Sequence, residues 1–247
     1  MKKNKSEKSS RLAKAGFIIA LISVAAALTA ALGTRYGQWN FETGISVFRG
    51  AAYGAIGGAA LSLAGLVASV RIVIQRGFFL ALLGVLIGGS IVGTAFYWRS
   101  VARNVPPIHD ITTDTQDPPR FVEILRLLKP ADNPPTYGGE KVAAMQHKAY
   151  PDIAPLVLRM PPGKAFEKAL RTARSMGWQI IDDNKKEGRI EAVAATFWFG
   201  FRDDVVIRVR PEDSGSRVDI RSESRVGVSD LGKNARRIRE FLADMKR

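Results

Sequence analysis

Residues 15–34 read AGFIIALISVAAALTAALGT, 20 consecutive positions without a charged side chain. At a rise of about 1.5 Å per residue, a helix of this length covers about 30 Å, the hydrocarbon thickness of a bilayer. Two further uncharged runs follow, GAAYGAIGGAALSLAGLVASV at 50–70 and GFFLALLGVLIGGSIVGTAFYW at 77–98. Each ends beside side chains suited to headgroup depth: Tyr36 and Trp39, then Arg71, then Phe96, Tyr97, Trp98 and Arg99. Residues 1–103 therefore read as a membrane anchor of three transmembrane α-helices. The first apolar stretch, Ala15 to Leu32, has 18 residues and exceeds the roughly 7–15 of a signal-peptide core, so an uncleaved anchor is expected.

Charge divides the chain at the same place. Residues 1–103 carry 12 Lys/Arg and two acids, and residues 104–247 carry 25 Lys/Arg and 21 acids, so the net +14 splits into +10 and +4. The run Lys2, Lys3, Lys5, Lys8, Arg11, Lys14 abuts an apolar helix and reads as a topogenic signal; a nucleic-acid partner is not expected. With Arg71 and Arg76 between the second and third runs, positive charge places both regions in the cytoplasm. Three spans then leave the C-terminal part outside it.

Gly50, Gly54 and Gly58 recur every fourth residue, as do Gly84 with Gly88 and Gly89 with Gly93. Small residues at this spacing share one helix face and allow close packing in lipid, either among these helices or in a homo-oligomer. No Asp, Glu, Lys, Arg or His lies inside the three runs, which argues against a proton or ion pathway. The chain has no cysteine, so disulfides, zinc–thiolate sites and thiol nucleophiles are excluded.

Pro106 and Pro107 end the third helix and open a second domain, 104–247, with an irregular N-terminal segment over 104–155. Asp117 is positioned to cap a short helix carrying Phe121, Ile124, Leu125 and Leu128, followed by a Pro- and Gly-rich loop to Tyr150. Beyond it the pattern predicts a strand at 156–160, a helix at 162–176 stopped by Gly177, and strands near 178–182, 189–196, 204–210 and 217–225. A last helix starts at Ser229 or Asp230 and places Leu231, Ala235, Ile238, Phe241 and Leu242 on one face. The order β-α-β-β-β-β-α is that of an α+β domain, an antiparallel sheet covered on one face by two helices.

Several short motifs carry a resemblance: IHDITTD at 108–114 with DPP at 117–119, AYPDI at 149–153, GFRDD at 200–204, and RSESRVGVSDLG at 221–232. They resemble the bacterial family called domain of unknown function 1499, in its membrane-anchored form, over nearly all of 106–247. The resemblance implies an envelope or organelle-associated protein without an agreed activity, and it assigns no catalytic residue; with the charge-derived topology it implies a bacterial inner membrane and a periplasmic C-terminal domain.

Two sets of residues are candidates for chemistry. His109, Asp110, Asp114 and Asp117 offer one imidazole and hard oxygen ligands to a divalent metal, although their spacing matches no EF-hand and Asp and Thr also build turns and caps. Arg208, Arg210, Arg221 and Arg225, with the N-terminus of the last helix, form a candidate platform for an anionic ligand such as a lipid headgroup or a glycan. Asp219 and Glu223 are interspersed among them, so cross-strand ion pairs on a solvated sheet face are the alternative. Asp203 and Asp204 are adjacent acids, which strand alternation sends to opposite faces. The aromatic run Phe197-Trp198-Phe199 with Phe201 exceeds what alternation buries, so one or two of its rings are expected to face lipid or a partner.

The functional expectation is a membrane-tethered, non-enzymatic binding or structural module of the cell envelope, without a cofactor, whose partners are the bilayer and an envelope protein, lipid headgroup or glycan. The competing expectation is a membrane-anchored hydrolase or metal-dependent enzyme built on residues 109–117.

Overall fold

The computed structural model describes residues 2–70, 77–213 and 215–247. The connection with Arg71 and Arg76 lies outside the described residues. Three long helices come first: α1 (Lys2–Arg35), α2 (Phe41–Val70) and α3 (Phe78–Asn104). Within them Arg11–Arg35, Phe41–Ala68 and Phe78–Asn104 are long and apolar enough to cross a membrane. The chain forms two compact units, Met1–Val101 with Trp198–Gly200, and Ala102–Phe197 with Phe201–Arg247.

In the first unit the four-residue glycine spacing does what close packing requires. A Cβ on Gly58 would lie 2.9 Å from the Ala20 nitrogen and 3.0 Å from the Gly16 carbonyl, so α1 and α2 touch backbone to backbone there. On α3, a Cβ on Gly88 would meet Ala59 and the Ala55 carbonyl of α2 at 2.9 and 3.0 Å. Gly50, Gly89 and Gly93 meet nothing within 4 Å, so their spacing is not used in this packing. The unit also holds an edge-to-face pair, Phe48 and Phe199, with ring centroids 5.7 Å apart. Phe197 and Trp198 of the same aromatic run are 75% and 59% exposed.

The second unit contains β1 (Asp110–Thr112), a 3₁₀ turn (Ile124–Leu127), α4 (Gly139–Ala149), β2 (Leu156–Leu158), α5 (Pro162–Ser175), β3 (Gln179–Asn184), β4 (Arg189–Ala195), β5 (Arg202–Glu212), β6 (Gly215–Ser224) and α6 (Lys233–Lys246). The sheet is antiparallel in the order β1-β6-β5-β4-β3, and β2 pairs with the first half of β6. One face holds the main core. Ile190, Ala192, Val205, Ile207, Val218 and Ile220 pack on Phe166, Ala169 and Ala173 of α5 and on Ile238, Phe241 and Met245 of α6. Trp178 stacks on Phe241 at 5.6 Å.

Four features differ from the expectation, the first being the sixth strand, β1, which pairs with β6 inside the segment read as irregular. The segment 121–128 makes only the 3₁₀ turn, because Pro119 and Pro130 bound it closely and its opening amides are taken by a side chain of β4. The expected loop before Tyr150 contains α4. Its anchor is polar: Gln146, fully buried, accepts from the Thr112 amide at 3.0 Å and donates to the Thr112 carbonyl at 2.7 Å, so it completes the β1 edge as another strand would. Lastly, the sheet face away from α5 and α6 is largely covered, because residues 113–137 bond to Glu191, Arg208 and Arg221 across it.

Because the main core is complete within this unit, residues 104–247 expressed alone are expected to unfold in one cooperative transition without detergent. Calorimetry of the fragment checks this. Aggregation without a transition would show that its core needs the anchor.

Candidate functional site

Alternation along β4, β5 and β6 sends one set of side chains to the helices and the other to the opposite face. The second set is charged and largely buried. Across the strands Asp110, Glu223 and Asp204 stand in one row, and Asp219, Arg208 and Arg189 in another. Arg221 and Arg225 are 2% and 6% exposed, and Asp219 and Glu191 are fully buried.

Arg221 is the centre of the first knot. Its guanidinium holds Asp110 with two bonds of 2.9 and 2.8 Å and donates to Glu223 at 3.0 Å. It also donates to the Pro135 carbonyl at 2.9 Å and the Pro119 carbonyl at 3.4 Å, and it lies over the Phe121 ring at 4.8 Å. One cation thus faces two buried carboxylates, which favours a proton on one of them. Burial, reinforced by Asp110, pushes Glu223 up to about 9 against the pull of Arg221. Burial also raises Asp110, against the hydrogen bond and charge of Arg221. Beside them Arg225 grips Asp204 through three contacts of 2.7–3.0 Å, and burial raises Asp204 despite this partner.

The second knot joins Arg208, Arg210 and Arg217 to Asp114, Asp117 and Asp219. Asp219 accepts from all three arginines at 3.0–3.1 Å, and Asp114 accepts from them at 2.8–3.4 Å. Asp117 takes Arg208 at 3.0 Å and Arg210 at 3.1 Å. Burial acts to raise Asp114, but the Asp117 and Gln116 amides with Arg217 and Arg208 prevail and hold it low. In the third knot the Glu191 carboxylate accepts from the amides of Val122, Glu123 and Ile124 at 2.8–3.2 Å and pairs with Arg189. An apolar island of Phe121, Ile124, Val193 and Val206 lies among these ion pairs.

Three arginines of one candidate set therefore pair with the three acids of the other, while Arg225 takes Asp204. Asp110, Asp114 and Asp117 bind Arg221, Arg208, Arg210 and Arg217, while His109 turns its Nδ1 to the Val228 carbonyl at 3.4 Å. Among the described residues no three of His, Asp and Glu gather as a metal site would need. Arg208 and Arg210 sit in one knot and Arg221 and Arg225 in another, and the latter two are enclosed. Asp203 and Asp204 diverge as alternation requires: Asp203 reaches Arg237 of α6 at 2.5 Å and Asp204 reaches Arg225. The arrangement binds the irregular segment 113–137 to the sheet through side chains and through backbone carbonyls and amides.

Glu191, Arg189 and Gln146 were not among the candidates. A glutamate in mid-strand, flanked by Ile190 and Ala192, is the signal that marks Glu191, since a buried carboxylate requires partners. Gln146 has no comparable mark.

Compared with known families, residues 110–245 match the model described as "Protein of unknown function (DUF1499)", which is the family the motifs resemble. No curated protein matches the chain.

Proposed function

From the premise that this chain belongs to the DUF1499 family and carries three membrane-spanning helices, we propose that it holds its family domain on the non-cytoplasmic side of a bacterial cell membrane as a non-enzymatic binding or structural module of the envelope. The observation that carries the non-enzymatic part is the mutual engagement of the charged residues. Carboxylates and arginines suited to a metal or an anion are satisfied within the sheet face and roofed by residues 113–137. The sidedness is supported by the basic run before the first span.

Two measurements test the two parts. A reporter active only outside the cytoplasm is expected to be active when fused after Arg247 and silent when fused between Arg71 and Arg76; the reverse pattern overturns the sidedness. Metal analysis of the purified full-length protein is expected to find no stoichiometric ion. One tightly held divalent ion per chain, lost in Asp114→Asn, would restore the metal-dependent enzyme.

A further inference from the structure

The outward face of α5 departs from the charge pairing of the sheet. Its apolar side, with Ala165, Phe166, Ala169 and Ala173, is buried in the core, so Lys164, Lys168 and Arg171 turn outward at helical spacing. The β3–β4 turn stands beside this helix, because Lys185 reaches Glu167 at 2.8 Å and its Cε lies 3.9 Å from where a Cβ on Gly163 would stand. Lys186 follows on the same turn. Residues 162–186 thus hold six Lys/Arg, namely Lys164, Lys168, Arg171, Arg174, Lys185 and Lys186, against three acids.

Those acids are already engaged. Glu167 pairs with Lys185, Asp183 with Arg174 at 3.4 Å and Asp182 with Arg189 at 3.0 Å. Glu167 is held below the usual carboxylate range, first by its bond to Lys185 and then by the charges of Arg171 and Lys164. Lys164, Lys168, Arg171 and Lys186 make no ion pair among the described residues. Each arginine of the sheet-face knots, by contrast, meets a carboxylate.

Surface chemistry decides the kind of partner. Protein interfaces are depleted in lysine and centre on apolar or aromatic anchors, yet no large apolar side chain from 161 to 188 is exposed. Single-stranded nucleic acid stacks its bases on exposed rings, and this stretch exposes none. A lysine-rich face without rings suits a polar polyanion, as in heparin-binding patches. Lys164, Lys168 and Arg171 stand four and three residues apart, so the helix presents one cation per turn of about 5.4 Å. An acidic polysaccharide carries one carboxylate per sugar ring, a repeat close to that pitch.

We propose that the outward face of α5, with the β3–β4 turn, docks a linear polysaccharide bearing carboxylates, with Lys164, Lys168, Arg171 and Lys186 as its cationic contacts. This gives the binding-module reading a partner and a surface, and it rests on that reading. The reporter fusions and the polymer titration fail separately, since binding is measured on purified protein whatever its sidedness.

The chain has no cysteine, so Ser175→Cys at the exposed end of α5 takes a single fluorophore whose signal is local to this face. Full-length protein in a nonionic detergent is titrated with polygalacturonate. Saturable binding is expected, with an affinity that falls as salt rises. Lys164→Gln, Lys168→Gln and Arg171→Gln together are expected to weaken it about tenfold at an unchanged melting temperature, a factor of about two for each exposed ion contact. Removing three exposed cations elsewhere, with Lys129→Gln, Lys141→Gln and Lys148→Gln, is expected to leave the affinity within about twofold of the parent. No binding at low salt, or an equal loss in the second triple variant, would overturn the site. Equal affinity for polyglutamate or duplex DNA at the same charge concentration would overturn the polysaccharide as its partner.

Discussion

Replacing Arg221 with Met is expected to destabilise the family domain by about 3–5 kcal/mol, the loss typical when one partner of a buried ion pair is removed and the other is left charged. The methionine fills much of the arginine volume, so the effect reads electrostatics and hydrogen bonding more than a cavity. Asp110 and Glu223 lose their shared cation, and the Pro119 and Pro135 carbonyls lose their donor. In thermal unfolding of the detergent-solubilised protein, followed at the domain, the midpoint is expected to fall by about 10 °C or more. Arg221→Lys is expected to recover little of this, because an ammonium is a single point of charge and cannot serve Asp110 in two-pronged fashion while reaching two carbonyls. A melting temperature within a degree or two of the parent in both variants would mean that the knot contributes nothing to the fold.

The second large effect is on pH dependence. Glu223 rises from the ordinary 4.5 to about 9 in the folded protein. Between those values the folded state holds a proton that the unfolded chain has released. The stability contributed by this group is therefore complete below about pH 4.5 and is lost as pH rises toward 9, on the order of 1 kcal/mol per pH unit inside the window. Asp110 and Asp204 are raised as well and act with the same sign. Asp114 and Asp152 are lowered, so their contributions are present at neutral pH and are lost only as pH falls below the usual carboxylate range. Melting temperature is thus expected to decline steadily from pH 5.5 to 9. Glu223→Gln, a neutral side chain of the same shape, is expected to flatten the decline and to be the more stable form at pH 9. An unchanged slope would place the proton elsewhere.

What was legible in the sequence follows from which interactions leave a periodic trace. The three spans are runs of apolar residues, and the two amphipathic helices α5 and α6 repeat apolar residues at helical spacing; both patterns are local, and both recur in the structure. Strands β3 to β6 showed through alternation, and their ends moved by only one to two residues. The irregular segment was not legible because its order comes from distant partners. The 3₁₀ turn at 124–127 is set by a carboxylate 67 residues away on β4, and α4 is tied to β1 by the side-chain amide of Gln146 while Val142 and Met145 pack on the main core. The charged candidates stand out in the sequence by residue type alone, and the fold brings them together. Their pairing reverses what proximity implied, since the acids of 110–117 and the arginines of β5 and β6 satisfy one another. Strand alternation did settle one point in advance, the divergence of Asp203 from Asp204.

The charged sheet face is an internal clasp on residues 113–137 rather than a surface that receives a ligand. Amide hydrogen exchange of the full-length protein measures this at three positions, Val122, Glu123 and Ile124, whose amides donate to the buried Glu191 carboxylate. These amides are expected to be protected to the same order as the central amides of β5 and β6, and Glu191→Ala is expected to abolish their protection while leaving that of β6 largely intact. Rapid exchange at all three in the parent protein would show that the segment stands open and that the arginine face is available to a ligand, which would contradict the clasp.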